Sequence, residues 1–221
     1  MAANRFHRRA LHLGALAFMF ALLPAAAAFA APTPGFVEHF PAGSSGWDSQ
    51  AALTNPGTGG FGGAGGFLRI ARSGFSGQLG ARSTGAEYAG DWIEAGIAQI
   101  RLRLRDVDAN QDLEIHLCIG NASNFWQTNS GFVPPENEWG TFTVDLTDSS
   151  QFTHIIDFTG GGFAQALREA DRILIRHDRA PFSQFPDLIL GEFGLDEIEL
   201  LADPPVPARA STWGSVKGLY R

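Results

Sequence analysis

Lysine is nearly missing from this sequence, occurring only at Lys217, and cysteine occurs once, at Cys118. A single thiol excludes an intrachain disulfide, so a fold in an oxidising compartment must be held by burial or by a metal. Beyond residue 30 no apolar run is long enough to span a bilayer, which excludes a transmembrane anchor there. An excess of positive charge is also missing. The whole sequence carries −7, and with Arg5, Arg8 and Arg9 set aside, 13 basic residues face 23 acidic ones, a net −10. That disfavours nucleic acid and anionic membranes as partners and leaves neutral sugars, proteins, cations or small molecules. Catalytic signatures are missing as well. No Gly-x-Ser-x-Gly elbow occurs, and His39, His116, His154 and His177 supply no metal-ligand pair on a helix turn. The glycine run GTGGFGGAGGF at residues 57–67 is not followed by Gly-Lys-Ser/Thr, and the next segment reads as a strand, so it is not a phosphate loop.

What is present points to a secreted all-β protein. Arg5, Arg8 and Arg9 precede an apolar stretch from Leu11 to Leu23, and Ala28-Phe29-Ala30 offers a small-x-small cleavage site, the pattern of a signal peptide over residues 1–30. Secretion to the periplasm or the exterior is the expected localisation. Glycine and phenylalanine are abundant, at 27 and 18 residues, which suits many short strands joined by tight turns. The folded domain is expected over residues 31–202. Asp203-Pro-Pro-Val-Pro207 is a stiff linker opening a final segment, 203–221, in which Trp213, Val216, Leu219 and Tyr220 are apolar.

The strongest periodicity lies in IAQIRLRLR and DLEIHLCI. Ile100, Leu102 and Leu104 alternate with Arg101, Arg103 and Arg105, and Leu113, Ile115 and Leu117 alternate with Asp112, Glu114 and His116. Joined by DVDANQ, the two arms read as one hairpin with Arg105 opposite Asp112, Arg103 opposite Glu114 and Arg101 opposite His116. Further strands are expected at Phe36–Phe40, Phe67–Arg72, Trp139–Leu146, Arg172–His177 and Phe193–Leu200. Residues 73–86 read as a polar stretch and residues 121–138 as a long loop carrying Trp126. One short helix is expected at Phe163–Ala170, because Phe163, Ala166, Leu167 and Ala170 share a face. The fold class is an antiparallel β-sandwich of the jelly-roll kind with one short connecting helix.

Two groups of residues could carry function. Glu38 lies between inward Phe36 and Phe40, and Asp196 reads on the side of Ile198 and Leu200. Burying an ionised carboxylate unpaired costs several kcal/mol. First and last strands usually adjoin in jelly rolls, so a structural Ca²⁺ held by Glu38, Asp196 and Asp48 would remove that cost. Pairing with Arg69 or Arg72 is the alternative. The second group is a polar face of Arg101, Arg103, Glu114, His116 and Trp139, with Arg176 and the loop residue Trp126. It combines aromatic rings that stack on a pyranose with groups that bond its hydroxyls. These residues also read as cross-strand pairs on an ordinary solvated face, and Trp126 as a lid on the core edge. No catalytic residue is assigned. Glu197 and Glu199 face away from Asp196, so no carboxylate pair spans a cleft.

Several motifs resemble a known group. Phe36-x-Glu38-x-Phe40 followed by Gly46-Trp47, then Ala89-Gly-Asp-Trp92, Trp139-Gly140 and Gly194-Leu-Asp-x-Ile-x-Leu200, are similar to those of secreted bacterial jelly-roll modules. They resemble carbohydrate-binding modules of the galactose-binding-like group and, more loosely, the laminin type IV domain. The resemblance implies a β-sandwich, often with a structural calcium between terminal strands, to which Glu38 and Asp196 would correspond. It implies a non-catalytic binding domain for carbohydrate. The alternative is a surface or extracellular-matrix domain whose partner is a cell-surface protein.

Overall fold

The computed structural model describes residues 31–63, 65–74, 77–108 and 112–203. The expected signal peptide, part of the DVDANQ connection and the linker and final segment beyond Asp203 lie outside the described residues. Within them the chain forms two antiparallel sheets and one short α-helix, the architecture that the alternating segments predict. In chain order the strands are β1 (Val37–Glu38), β2 (Ala52–Thr54), β3 (Leu68–Arg72), β4 (Gly80–Ser83), β5 (Ile97–Asp106), β6 (Ile115–Gly120), β7 (Asn124–Thr128), β8 (Gly140–Asp145), β9 (Phe152–Asp157), β10 (Arg172–His177) and β11 (Gly191–Ala202). Helix α1 (Phe163–Arg168) joins β9 to β10. A six-stranded sheet has the order β2-β3-β11-β5-β8, with β1 also paired to β11, and a five-stranded sheet has the order β4-β10-β6-β7-β9. No helix among the described residues is long and apolar enough to cross a membrane.

The expected central hairpin does not form. β5 pairs with β11 and β8, whereas β6 pairs with β10 and β7, so the link between them crosses from one sheet to the other. Ile100, Leu102 and Leu104 therefore meet Ile115, Leu117 and Ile119 across the core rather than beside them. Alternation fixes which side of a strand is buried. It is silent on the neighbour, because any strand with the same period satisfies it. Arg101 and Arg103 accordingly pair with Glu199 and Glu197, and not with His116 and Glu114.

β4 lies in the expected polar stretch and β7 in the expected loop, and β2 and β9 lie where no strand is expected. β7 is hidden by composition, since Asn124 and Gln127 are buried polar residues inside a strand. Their hydrogen bonds are made internally: Asn124 Nδ2 donates to the Gly162 carbonyl at 3.2 Å, and Gln127 Nε2 to Asp178 at 3.0 Å. The tight β6–β7 connection depends on Gly120, with φ +136°, where a Cβ would stand 2.2 Å from the Asn124 carbonyl oxygen.

The core fills the space between the sheets. Leu68 and Ile70 of β3 and Phe193, Leu195, Ile198 and Leu200 of β11 pack with the β5 leucines against Ile173 and Ile175 of β10. Phe40, Trp47, Tyr88 and Trp92 join the same cluster, and Trp47 meets Phe40 and Tyr88 edge to face at 6.1 and 5.8 Å. As a jelly roll requires, the first and last strands adjoin, with Val37 opposite Glu199 and Glu38 opposite Ile198. One irregularity of β11 sets which of its side chains reach the core. The register slips between Asp196 and Glu199, with Glu197 at φ 42°. This β-bulge places one extra residue in β11. Leu195 and Ile198 both face the core, while Asp196, opposite Arg103, faces outward.

Candidate functional site

The bulge separates the two buried carboxylates. Glu38 lies on the inner side of the six-stranded sheet and Asp196 on its outer side, so the expected inward row of Asp196, Ile198 and Leu200 is corrected. Glu38 Oε2 accepts hydrogen bonds from Trp47 Nε1 at 3.3 Å and from the Tyr88 hydroxyl at 3.1 Å. Burial pushes the Glu38 carboxyl above its ordinary range, and the two donors oppose that shift. The same burial, with the Glu38 charge beside it, raises Tyr88 well above the usual phenol value. Asp196 accepts from the backbone N–H of Phe61 at 2.8 Å and of Glu197 at 2.9 Å, and it too is raised by burial. Asp48 is exposed and bound in a fork by Arg82 at 2.7 and 3.1 Å.

The residues present do not fit the calcium expected at Glu38, Asp196 and Asp48. A calcium ion needs six to eight converging oxygens, whereas here N–H and O–H donors point at two carboxylates on opposite faces of a sheet. Among the described residues no group of three His, Cys, Asp or Glu stands close enough to hold a metal. The alternative partners are not used either: Arg69 pairs with Glu192, and Arg72 donates to the Ile189 carbonyl at 2.5 Å.

The expected sugar-binding face is divided between the two sheets. Arg101, Arg103 and Trp139 belong to the outer side of the six-stranded sheet. There Arg69–Glu192, Arg101–Glu199 and Arg103–Glu197 form cross-strand ion pairs, and Arg103 also bonds Thr141. The glycine-rich loop lies over this ladder. Its Phe61 ring sits 4.1 Å from the Arg103 guanidinium, and its Gly59 carbonyl accepts from Trp139 Nε1 at 3.2 Å. Trp139 is thereby engaged in packing, edge-on to Phe67 at 5.4 Å. Trp126 is engaged too. It stacks flat on His154 at 4.2 Å, meets Phe163 of α1 at 5.5 Å and donates to Asn124 at 2.7 Å, which makes it the lid on the core edge.

Glu114, His116 and Arg176 belong to the five-stranded sheet, and Arg176 organises its outer face. Nearly fully buried, it donates to Gln127 at 2.8 Å, to Asp178 at 2.7 Å and to the carbonyls of Ser183 at 2.6 Å and Gln184 at 3.3 Å. Asp178 in turn accepts from the N–H groups of Arg179 and Asp187. The network ties loop 178–190 down over the sheet. His116 lies under the same loop, edge-on to Phe182 at 4.9 Å, with Nδ1 2.7 Å from the Thr128 carbonyl and Nε2 3.3 Å from Glu114. Burial lowers His116 and, nearby, His177 below the ordinary imidazole value.

Beside that loop the face is open. A cleft of about 210 Å³ is lined by Gln78, Arg82, Asn121, Arg172, Leu174 and Ile155, among others. A second of about 220 Å³ shares Gln78, Arg82 and Leu174 with it and reaches Asp48 and Gln50. Together they make one groove over β4 and β10 that runs on to β9. The outward row Arg172, Leu174 and Arg176 is legible from the alternation of RILIRH. The opposite wall is not, because β4 is short and Gln78 and Asn121 come from connections with no period.

The sequence matches no protein-family model and no curated protein. Solved structures share the fold. One is the family 11 carbohydrate-binding module from Clostridium thermocellum in complex with a β-1,3-1,4-mixed-linked tetrasaccharide. It has a TM-score of 0.53 and 16% identity, over 78% of this chain and 98% of that one. Another is the family 11 module of the cellulosomal cellulase Lic26A-Cel5E of Clostridium thermocellum, with a TM-score of 0.52 and 18% identity, over 78% of this chain and 97% of that one. An exo-β-agarase matches with a TM-score of 0.55 and 13% identity, over 78% of this chain and 25% of that one. The chain has the β-sandwich fold of these modules.

Proposed function

We propose that this protein is a secreted, non-catalytic carbohydrate-binding sandwich whose glycan lies in the groove on the outer face of the five-stranded sheet. The observation that carries this reading is the groove's lining. Arg82 and Arg172 contribute guanidiniums held in place by Asp48 and Asp171, Gln78 and Asn121 contribute amides, and Leu174 and Ile155 contribute apolar surface. Sugars need that combination, hydroxyl-bonding groups beside apolar patches that receive the C–H faces of the ring. The likeness of the fold to modules described as carbohydrate-binding supports the same reading. A binding rather than hydrolytic role is supported by the groove's single carboxylate, Asp48, already held by Arg82, since glycosidases use two. Both buried carboxylates are internal acceptors in this reading, and calcium is no part of the site.

A glycan array followed by titration calorimetry tests it. Arg82→Ala should weaken binding several-fold while Trp139→Ala leaves it intact. Binding lost only in Trp139→Ala would move the site to the other sheet, and no binding to any glycan would overturn the reading. A protein-contact role has one observation in its favour, the exposure of Phe185 (81%) and Leu188 (67%) on the loop beside the groove. A partner that co-purifies with the wild type and is lost in Phe185→Ser/Leu188→Ser, with no glycan bound by either, would establish that role instead.

A further inference from the structure

Loop 178–190 is fastened to the five-stranded sheet at two places. One is the Arg176 network, which holds the Ser183 and Gln184 carbonyls. The other lies where the pairing of β10 with β6 ends, at Glu114. There the Glu114 carbonyl accepts from the Asp178 N–H at 3.1 Å, as in a ladder. The Glu114 N–H goes instead to a side chain, donating to Nδ1 of His177 at 3.0 Å. His177 is 1% exposed, and its own N–H is bound to the Leu79 carbonyl at 2.8 Å.

That bond fixes the state of the ring. A ring nitrogen that accepts carries no proton, so His177 is neutral with its proton on Nε2. Imidazolium carries a proton on both nitrogens, and Nδ1–H would then meet the Glu114 N–H, two donors with no acceptor between them. The charges around the ring are divided. Arg179 from the loop and His116 from β6 oppose a further positive charge, Asp178 and Asp187 favour it, and burial is the largest influence. Asp178 is already engaged by Arg176 and Gln127, Arg179 is bonded to the Asp112 carbonyl, and the Glu114 carboxylate lies 3.3 Å from Nε2 of His116. From the β4 side His177 meets the uncharged Leu79.

We propose that the Glu114–His177 bond is an acid-labile clasp on loop 178–190, closed while the His177 ring is neutral and broken when Nδ1 takes a proton. Burial holds the ring below the ordinary imidazole value of 6.5, so the clasp is closed at neutral pH and opens as pH falls through the folded-state value. Opening is local, freeing the start of the loop from β6 while the rest of the sandwich stays folded. The loop carries Gln184, part of the groove's lining, so an open clasp displaces one wall of the groove. Release of a glycan in acid is the consequence, and it rests on the carbohydrate-binding reading, whereas the clasp itself does not.

Hydrogen–deuterium exchange on the full chain from pH 8 to pH 4, corrected for the intrinsic pH dependence of amide exchange, tests the clasp. Peptides covering residues 178–190 should exchange several-fold faster on the acid side, with β3 on the other sheet unchanged. In His177→Asn, whose side-chain oxygen accepts a hydrogen bond and takes up no proton in this range, the acid response should vanish. A loop that exchanges equally across the range would overturn the proposal, as would an acid response that persists in His177→Asn or one shared equally by β3. Nuclear magnetic resonance of the wild type gives a readout that needs no variant. Nδ1 of His177 should titrate from acceptor to protonated nitrogen at the same pH at which the Glu114 amide loses its protection, and separate midpoints would overturn the clasp. Calorimetry then distinguishes the two readings. A glycan bound several-fold more weakly in acid by the wild type, but not by His177→Asn, supports both, and an acid response of the loop with no glycan bound at any pH keeps the clasp and overturns the groove.

Discussion

The outer faces of the two sheets carry the same alternation of charge and use it differently. On the six-stranded sheet three arginines find glutamates on an adjacent strand, in Arg69–Glu192, Arg101–Glu199 and Arg103–Glu197, and the Arg105 guanidinium lies over the Phe67 and Trp139 rings. On the five-stranded sheet the arginines find aspartates that flank the strands, in Arg82–Asp48, Arg172–Asp171 and Arg176–Asp178. Pairing from strand to strand closes a face into a ladder. Pairing to aspartates outside the strands leaves the face without a strand-to-strand ladder, and the groove lies on that face over β4 and β10. Arginine–carboxylate pairs thus give a closed surface or an open groove according to where the acid sits.

The largest effect that would sharpen this contrast is on stability. Asp178→Ala leaves the buried Arg176 guanidinium without its carboxylate and should cost about 3–5 kcal/mol, whereas Glu199→Ala, in a half-exposed pair, should cost less than about 1 kcal/mol. Urea denaturation of both variants measures the difference, and equal losses would break the comparison. Next is affinity: Arg172→Ala should weaken glycan binding several-fold in calorimetry, and Arg101→Ala should not change it.

The pH dependence separates the sheets by sign. Burial lowers His116 and His177 from 6.5, so the stability they contribute is present above that value and is lost as pH falls through their folded-state values. Burial raises Glu38, on the six-stranded sheet, from 4.5, so its contribution is fullest below that value and is lost as pH rises through the folded one. Melting curves from pH 4 to 8 should show the acid-side loss flattened in His116→Gln and the opposite slope flattened in Glu38→Gln. An unchanged profile in either variant would mean that the group carries none of the pH dependence. The smallest expected effect is that of calcium. Melting temperatures in excess calcium and in chelator should coincide, whereas a site saturated to ~100 times its dissociation constant would add about 2.7 kcal/mol.

Much of the inside is legible from sequence and little of the pairing. RILIRH, the β5 and β6 arms and Phe36–Phe40 announce their buried sides correctly, because burial of one face is a property of a single strand. Neighbours are a property of the whole chain, and so the apparent hairpin of β5 and β6 is in fact two strands facing each other across the core. Asp196 departs from the alternation for a local reason. A bulge adds one residue, every later side is inverted, and period-2 counting carries no sign of it unless the extra residue is glycine. Trp126 and Trp139 are legible as aromatic but not as engaged, since their partners, His154 and the Gly59 carbonyl, are distant in sequence.

The strand at the centre of the six-stranded sheet is also the last to be made among the described residues. β11 bonds β1, β3 and β5, so none of those three strands has its partner on that side until β11 has been synthesised. Folding therefore waits on the last strand, and the long sequence separations place it among the slower topologies, in the millisecond-to-second range. Such an order of assembly acts as a timer. The sandwich has no middle to close around until its final strand has arrived.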